Sequence, residues 1–271
     1  SNEAEGPKKE IGLQLYSVRD DMSKDVKATL DSVGAVGYTF VEVAGYANGK
    51  FYGIDPVKFK NMVVKSGMEL LSSHTGQDVP TAETWDECME WWDEAITAHK
   101  AAGVKYIVQP WMSATGYESL EGLKRFCDYF NVVGEKCNAA GIKFGYHNHS
   151  GEFRKINGQV IYDYMLTHTD PKKVFFQMDL YWASVAGANP VEYMEQYPGR
   201  FLLWHIKDEK EIGASGKMNF EPIYAKAKVA GMQYAIVEQE DFGKGLTHFG
   251  SISQSLSFLR KAKYVKKDYA K

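Results

Sequence analysis

Apolar runs recur along the chain in a fixed setting: a helix-like stretch ends in a small residue and glycine, and a strand-like run follows. The phrase reads AVGYTFVEV at 35–43, KSGMELLSS at 65–73, AAGVKYIVQ at 101–109, AAGIKFGYH at 139–147 and VAGMQYAIV at 229–237. Gly37, Gly67, Gly103, Gly141 and Gly231 therefore fall where a helix C-cap calls for a left-handed residue, which glycine adopts without steric cost. IGLQLYS at 11–17, KKVFFQMD at 172–179 and RFLLWHIK at 200–207 supply three further strands. Between the runs, helical periodicity and capping residues predict helices over 25–36, 55–66, 84–102, 119–140, 160–167, 190–196, 221–230 and 252–263. Eight strands alternating with eight helices predict an α/β fold, a (β/α)8 TIM barrel forming one domain over 11–271. A doubly wound open sheet is the rival, but SVRDDM follows the first strand where that fold needs a glycine-rich phosphate loop. The polar residues 1–10 read as a disordered or vector-derived start, before which a leader could have been removed.

Four of the apolar runs stop in side chains that bind metals or transfer protons. They are GYHNHSGEF at 145–153, QMDLYW at 177–182, WHIKDEK at 204–210 and AIVEQED at 235–241. A barrel carries its chemistry at the C-terminal ends of its strands, so these clusters are expected to converge. The earlier strands end at Gln14, Tyr16 and Arg19, at Glu42 and Tyr46, at His74, and at Gln109 and Trp111. Side chains two apart share a strand face, which pairs His147 with His149, His205 with Lys207, Glu238 with Glu240, and Gln177 with Asp179. Periodicity leaves open which face looks into the barrel.

One Asp, at least one His and two Glu make a mixed oxygen and nitrogen shell, suited to Mn2+, Co2+, Mg2+ or Zn2+. Blander readings compete: Asp179 as a helix N-cap and His205 as a core histidine. Glu238 resists such a reading, because an unpaired carboxylate in a buried strand is costly. His99 and His168 fall on helical segments and His248 at a loop or helix start, and all three are expected at the surface; the run KDEKE at 207–211 reads as a solvated loop.

Composition narrows the function classes. With 32 basic against 35 acidic residues and a net charge of −3, the chain has no field for capturing polyanions, so nucleic acid is not an expected partner. Cys88, Cys127 and Cys137 fit neither a zinc cluster nor a disulfide framework and read as packing residues. No apolar stretch approaches a membrane span. The compartment stays open between cytoplasm and periplasm, and nothing excludes a homo-oligomer.

The series LQLYSVRD, YHNHSGEF, MDLYW, HIKD and VEQE, in that order and spacing, resembles the xylose isomerase-like TIM barrels known broadly as sugar phosphate isomerases/epimerases; the likeness covers 11–259. The resemblance implies one divalent metal ion held by Glu, Asp, His and Glu from strands five to eight, and a ketose, keto-sugar derivative or inosose-like polyol as substrate. By position, Asp179, His205 and Glu238 match the last three ligands. The first ligand departs: the family's ketose epimerases carry Glu near His147, whereas this chain reads His-Asn-His and offers a carboxylate only at Glu152. Glu152 is therefore the expected ligand, with His147 or His149 competing. Trp182 stands where those epimerases place a substrate-contacting His.

The resemblance further implies catalysis by enolisation, with Glu152 and Glu238 as acid and base on opposite faces of a sugar and with Lys207 and His149 delivering protons. Arg19, His74, Gln109, Trp111, His147, Trp182 and Glu240 are the expected substrate contacts. The reading is a metal-dependent sugar isomerase or epimerase; a lyase or hydrolase acting on 3-keto-glycosides by the same chemistry is the alternative. Two remoter classes are an endonuclease IV-like repair enzyme, which needs three metals and a basic groove, and a non-catalytic sugar-binding module.

Overall fold

The computed structural model describes residues 2–270. Eight parallel strands close into a barrel: β1 (Gly12–Gln14), β2 (Phe40–Val43), β3 (Glu69–His74), β4 (Tyr106–Gln109), β5 (Lys143–His147), β6 (Val174–Asp179), β7 (Leu203–Ile206) and β8 (Tyr234–Val237). They pair in sequence order, and β8 returns to β1 through Ile236 opposite Gly12. Helices Val26–Val36, Pro56–Lys65, Trp85–Ala101, Leu120–Ala139, Ile161–His168, Pro190–Gln196 and His248–Lys261 pack outside. The segment expected as one helix over 221–230 is two turns, Glu221–Tyr224 and Ala227–Ala230, joined where the Lys226 N–H bonds back to the Ile223 carbonyl. Gly37, Gly67, Gly103, Gly141 and Gly231 all have positive φ, as the cap reading requires.

Two hydrophobic clusters settle which strand faces look inward. The larger lies between barrel and helices, while a small one of Phe40, Leu71, Tyr106, Val108, Phe175, Leu203 and Ile236 fills the barrel itself. Its rings need room: a Cβ on Gly12 would lie 2.1 Å from the Phe40 ring, and one on Gly145 2.6 Å from the Phe175 ring. Stepping two residues along each strand toward the mouth then gives Gln14, Glu42, His147, Gln177 and Asp179, His205, and Glu238. The inner face is apolar at its base and polar above.

Register sets the heights of these groups. His147 lies level with Gln177, Asp179 with His205, and His205 with Ile236, so the polar groups climb as strands succeed one another around the wall.

Two expectations fail here. Residues 2–10 are not a disordered tail: the Ala4 N–H donates to the Val36 carbonyl at 2.8 Å, Lys9 Nζ donates to the carbonyls of Leu259 and Ala262, and Arg260 Nη1 donates to the Ala4 carbonyl. Backbone and side-chain-to-carbonyl bonds hold a segment that polar composition alone reads as loose. His99 is not at the surface but fully buried, its ring nitrogens 2.7 Å from the Ala95 carbonyl and 2.8 Å from Ser73 Oγ. His168 is exposed and His248 half-buried, the latter 2.7 Å from Asp21. Among the described residues, no helix is long and apolar enough to cross a membrane.

Candidate active site at the barrel mouth

Consecutive strand ends bring His147, Asp179, His205 and Glu238 together, all buried, with one ligand atom from each within 4.8 Å of the others. His147 Nε2 is 3.2 Å from Asp179 Oδ2, and His205 Nδ1 is 3.9 Å from the same oxygen and 3.4 Å from Glu238 Oε2. Asp179 also caps the short helix Leu180–Val185, its Oδ1 accepting from the Trp182 N–H at 2.9 Å. The cap and ligand readings are therefore compatible: one oxygen serves the helix, while the other faces the histidines.

Burial and neighbouring charges both act within this cluster, in opposite directions at His205, Glu238 and Glu42. Burial pushes Asp179 up to about 7, with nearby Glu238 adding to the rise. Burial opposes charge on His205, but Glu42 and Glu238 outweigh it and raise the imidazole to about 10. Burial, reinforced by His205 and His74, pushes His147 well below the usual histidine range. Burial would raise Glu238 and Glu42, yet the Glu238–His205 contact lowers the first and the charges of His74 and His205 hold the second well down. Close carboxylates in low dielectric call for positive charge between them. Nδ1 of His147 and Nδ1 of His205 are moreover buried without a hydrogen-bond partner. Two imidazoles and two carboxylates with unsatisfied nitrogens fit a divalent cation.

Glu152 lies outside this group. Its buried carboxylate accepts from Tyr146 Oη at 2.7 Å and from the His149 N–H at 3.1 Å, inside the turn Gly151–Phe153. His147, expected as a substrate contact or competing ligand, takes the strand-five place, because it follows Gly145 on the inward face. His149 sits further out and exposed, its ring centroid 5.0 Å from that of His147 and 6.2 Å from that of Trp182. Lys207 is buried at the mouth, its Nζ 4.8 and 5.3 Å from the ring centres of Tyr181 and Trp182 and 3.9 Å from Glu240 Oε2.

The remaining expected contacts divide. His74 adjoins the cluster, stacked on His205 at 5.0 Å and grouped with Glu42 and His205. Trp111 is exposed beside the end of β4, and Arg19 lies over the Tyr16 ring and donates to the Glu240 carbonyl at 3.3 Å. Gln109 is not free for substrate: its amide donates to the carbonyls of Gln77 and Trp111 and accepts from the Gln77 N–H.

Sequence reading places Gln14 and Glu42 at strand ends and Gln177 on the face of Asp179 but gives none of them a role, and it passes over Ser72. Glu42 is fully buried and bonds to Gln14, Ser72, Gln177 and His205. The signal was present in FVEV, where a glutamate shares the face of Phe40 in an otherwise apolar strand.

Relatives share this architecture. A sugar phosphate isomerase/epimerase from Parabacteroides distasonis, of known crystal structure, is 37% identical, with a TM-score of 0.89 covering 96% of each chain. An inosose dehydratase of Lacticaseibacillus casei is 22% identical, covering 85% of this chain and 89% of its own length. The 3-keto-D-glucoside 4-epimerase of E. coli shares the fold at 17% identity, with a TM-score of 0.72 covering 94% of this chain and 100% of that one. The profile describing xylose isomerase-like TIM barrels matches residues 30–262, and the chain belongs to that family.

Proposed function

We propose that this chain is a divalent-metal-dependent enzyme that enolises a keto-sugar or sugar derivative, in the manner of an isomerase or epimerase. The observation that carries the reading is the buried group His147, Asp179, His205 and Glu238, whose ligand atoms converge at the mouth of a sugar-enzyme barrel, with the unpartnered Nδ1 of His205 turned toward the two carboxylates. These four residues would hold Mn2+, Co2+, Mg2+ or Zn2+, which when bound polarises a carbonyl and an adjacent hydroxyl and so acidifies the C–H beside them. Glu238, held ionised by His205, is the base that takes this proton. Lys207 presents an ammonium to the mouth, placed to protonate an oxygen of the substrate. His149 stands exposed above His147, placed to return a proton from another direction. Trp182 and Tyr181 offer ring faces to a sugar, while Arg19, Trp111 and Glu240 line the outer mouth. The substrate is a small carbohydrate.

Glu152 favours a second reading. Proton exchange between two faces by paired carboxylates needs a second free glutamate, and Glu152 is engaged by Tyr146 and the His149 N–H. Elimination needs only one base: Glu238 takes the α proton, the C–O bond at the next carbon breaks, and the leaving oxygen takes a proton from Lys207. The similarity to an inosose dehydratase supports this lyase alternative, which extends to 3-keto-glycosides.

Proton NMR in D2O, with Mn2+-loaded enzyme diluted to limit line broadening, tests both readings on ketoses, inososes and 3-keto-glycosides. Deuterium entering one α carbon with carbon–oxygen bonds intact identifies an isomerase or epimerase; loss of the neighbouring oxygen substituent identifies a lyase. Metal-loaded enzyme that exchanges no α proton in any of these substrates refutes enolisation.

A further inference from the structure

The geometry points to Glu42 as a positioning residue: a buried carboxylate that fixes the tautomer and orientation of His205 so that Nδ1 faces the metal group. The inference rests on the proposed metal centre. Glu42 Oε1 accepts from His205 Nε2 at 2.6 Å and Gln14 Nε2 at 3.0 Å, and lies 3.0 Å from His74 Nε2. Its Oε2 accepts from Ser72 Oγ and Gln177 Nε2, each at 2.7 Å. Gln177 Oε1 in turn lies 2.6 Å from His74 Nε2. A carboxylate offers about four lone-pair directions, and these donors occupy them.

The triplet Glu42, His74 and His205 therefore acts as a hydrogen-bonded support rather than as a second cation site, although its ligand atoms also lie within 4.8 Å of one another. An ionised carboxylate only accepts, so the His205 nitrogen that faces it carries a proton. Nδ1, turned toward Asp179 and Glu238, is then the nitrogen whose lone pair meets a cation. A carboxylate behind a metal-binding imidazole fixes ring orientation and raises its basicity, and losing one weakens metal binding about 10–100-fold. Because Gln14, Ser72 and Gln177 come from three other strands, the wall of the barrel sets the place of Glu42, which sets that of His205. His74, stacked on His205, is held by the same anion.

Mn2+ titration monitored by EPR on the full chain tests this, with Asp179→Asn as the control for the metal centre itself. Glu42→Gln is expected to weaken Mn2+ binding about 10–100-fold with an unchanged far-UV spectrum. Glu42→Asp, which keeps the charge but withdraws it by one methylene, is expected to weaken binding as well. Equal affinity in wild type and Glu42→Gln overturns the inference while leaving the metal centre in place; two ions per wild-type chain falling to one in Glu42→Gln overturns it by making Glu42 a ligand. Wild type that binds no Mn2+ removes both. Should Glu42→Gln not fold, long-range 1H–15N correlation of Zn2+-loaded wild type, assigned with His205→Gln, decides. A proton on Nε2 of His205 supports the positioning role, and a proton on Nδ1 with bare Nε2 overturns it.

Discussion

Two buried glutamates near the mouth differ in what surrounds them, and that difference predicts opposite mutant behaviour. Glu238 lies 3.4 Å from His205 Nδ1 within the four-residue group, whereas Glu152 is engaged by Tyr146 Oη, the His149 N–H and the neighbouring Tyr117. Glu238→Gln should abolish α-proton exchange and weaken Mn2+ binding at least tenfold. Glu152→Gln should leave the Mn2+ dissociation constant within about threefold but cost roughly 1–3 kcal/mol in denaturant unfolding, because an amide cannot serve both donors as the carboxylate does. Equal losses of Mn2+ affinity would return Glu152 to the ligand shell. Asp179, His205 and Glu238 were legible in sequence because each ends an apolar run and a resemblance orders them. His147 was less so: choosing between it and Glu152 requires knowing that Gly145 and His147 face the barrel while the next turn folds Glu152 beneath Tyr146. Glu42 was visible as a strand end, but its partners come from strands that no local pattern joins to it.

Strands and helices were legible wherever a glycine cap preceded an apolar run, because that signal is local. The tight seats between elements were not. Gly134, in the C-terminal half of the helix Leu120–Ala139, is one: a Cβ there would lie 2.0 Å from the carbonyl oxygen of Lys173, just before β6. Alanine normally favours a helix interior by about 1 kcal/mol over glycine. Here overpacking against backbone wins, and Gly134→Ala should destabilise by roughly 1–3 kcal/mol in urea unfolding; a stabilised variant would show that the helix shifts without cost. His99 is a second seat, pinning Trp85–Ala101 to Ser73 on β3. Burial pushes it from 6.5 down to about 4, so the unfolded chain binds its proton first as pH falls. The stability contributed by neutral His99 is complete above pH 6.5 and lost toward pH 4, a change of roughly 3 kcal/mol. The stability difference between wild type and His99→Gln, followed by urea unfolding, should therefore shrink by about that amount across this interval; a constant difference would remove His99 from the pH response.

At the scale of the whole molecule, the group His147, Asp179, His205 and Glu238 exists only when the barrel is closed, since its members come from four successive strands. The unfolded chain cannot assemble it, so a cation that binds there stabilises the fold by mass action, about 2.7 kcal/mol at a hundred times the dissociation constant. Without a cation, Asp179 should oppose folding. Asp179 has its carboxyl raised from 3.8 to about 7 by burial and by Glu238, so its ionised form in the metal-free protein costs stability that grows with pH between those values and is complete above the higher. Asp179→Asn removes that cost while keeping an oxygen to cap the Trp182 N–H. Thermal unfolding at pH 8 should consequently cross over. With chelator, Asp179→Asn should be the more stable protein, by up to roughly 4 kcal/mol; with saturating Mn2+, wild type should gain several degrees and the variant almost none. A variant stabilised by Mn2+ as strongly as wild type would place the cation elsewhere. A variant less stable than chelated wild type would show that hydrogen bonding to the Asp179 carboxylate outweighs its burial, and that the mouth of the barrel is not held at the expense of the fold.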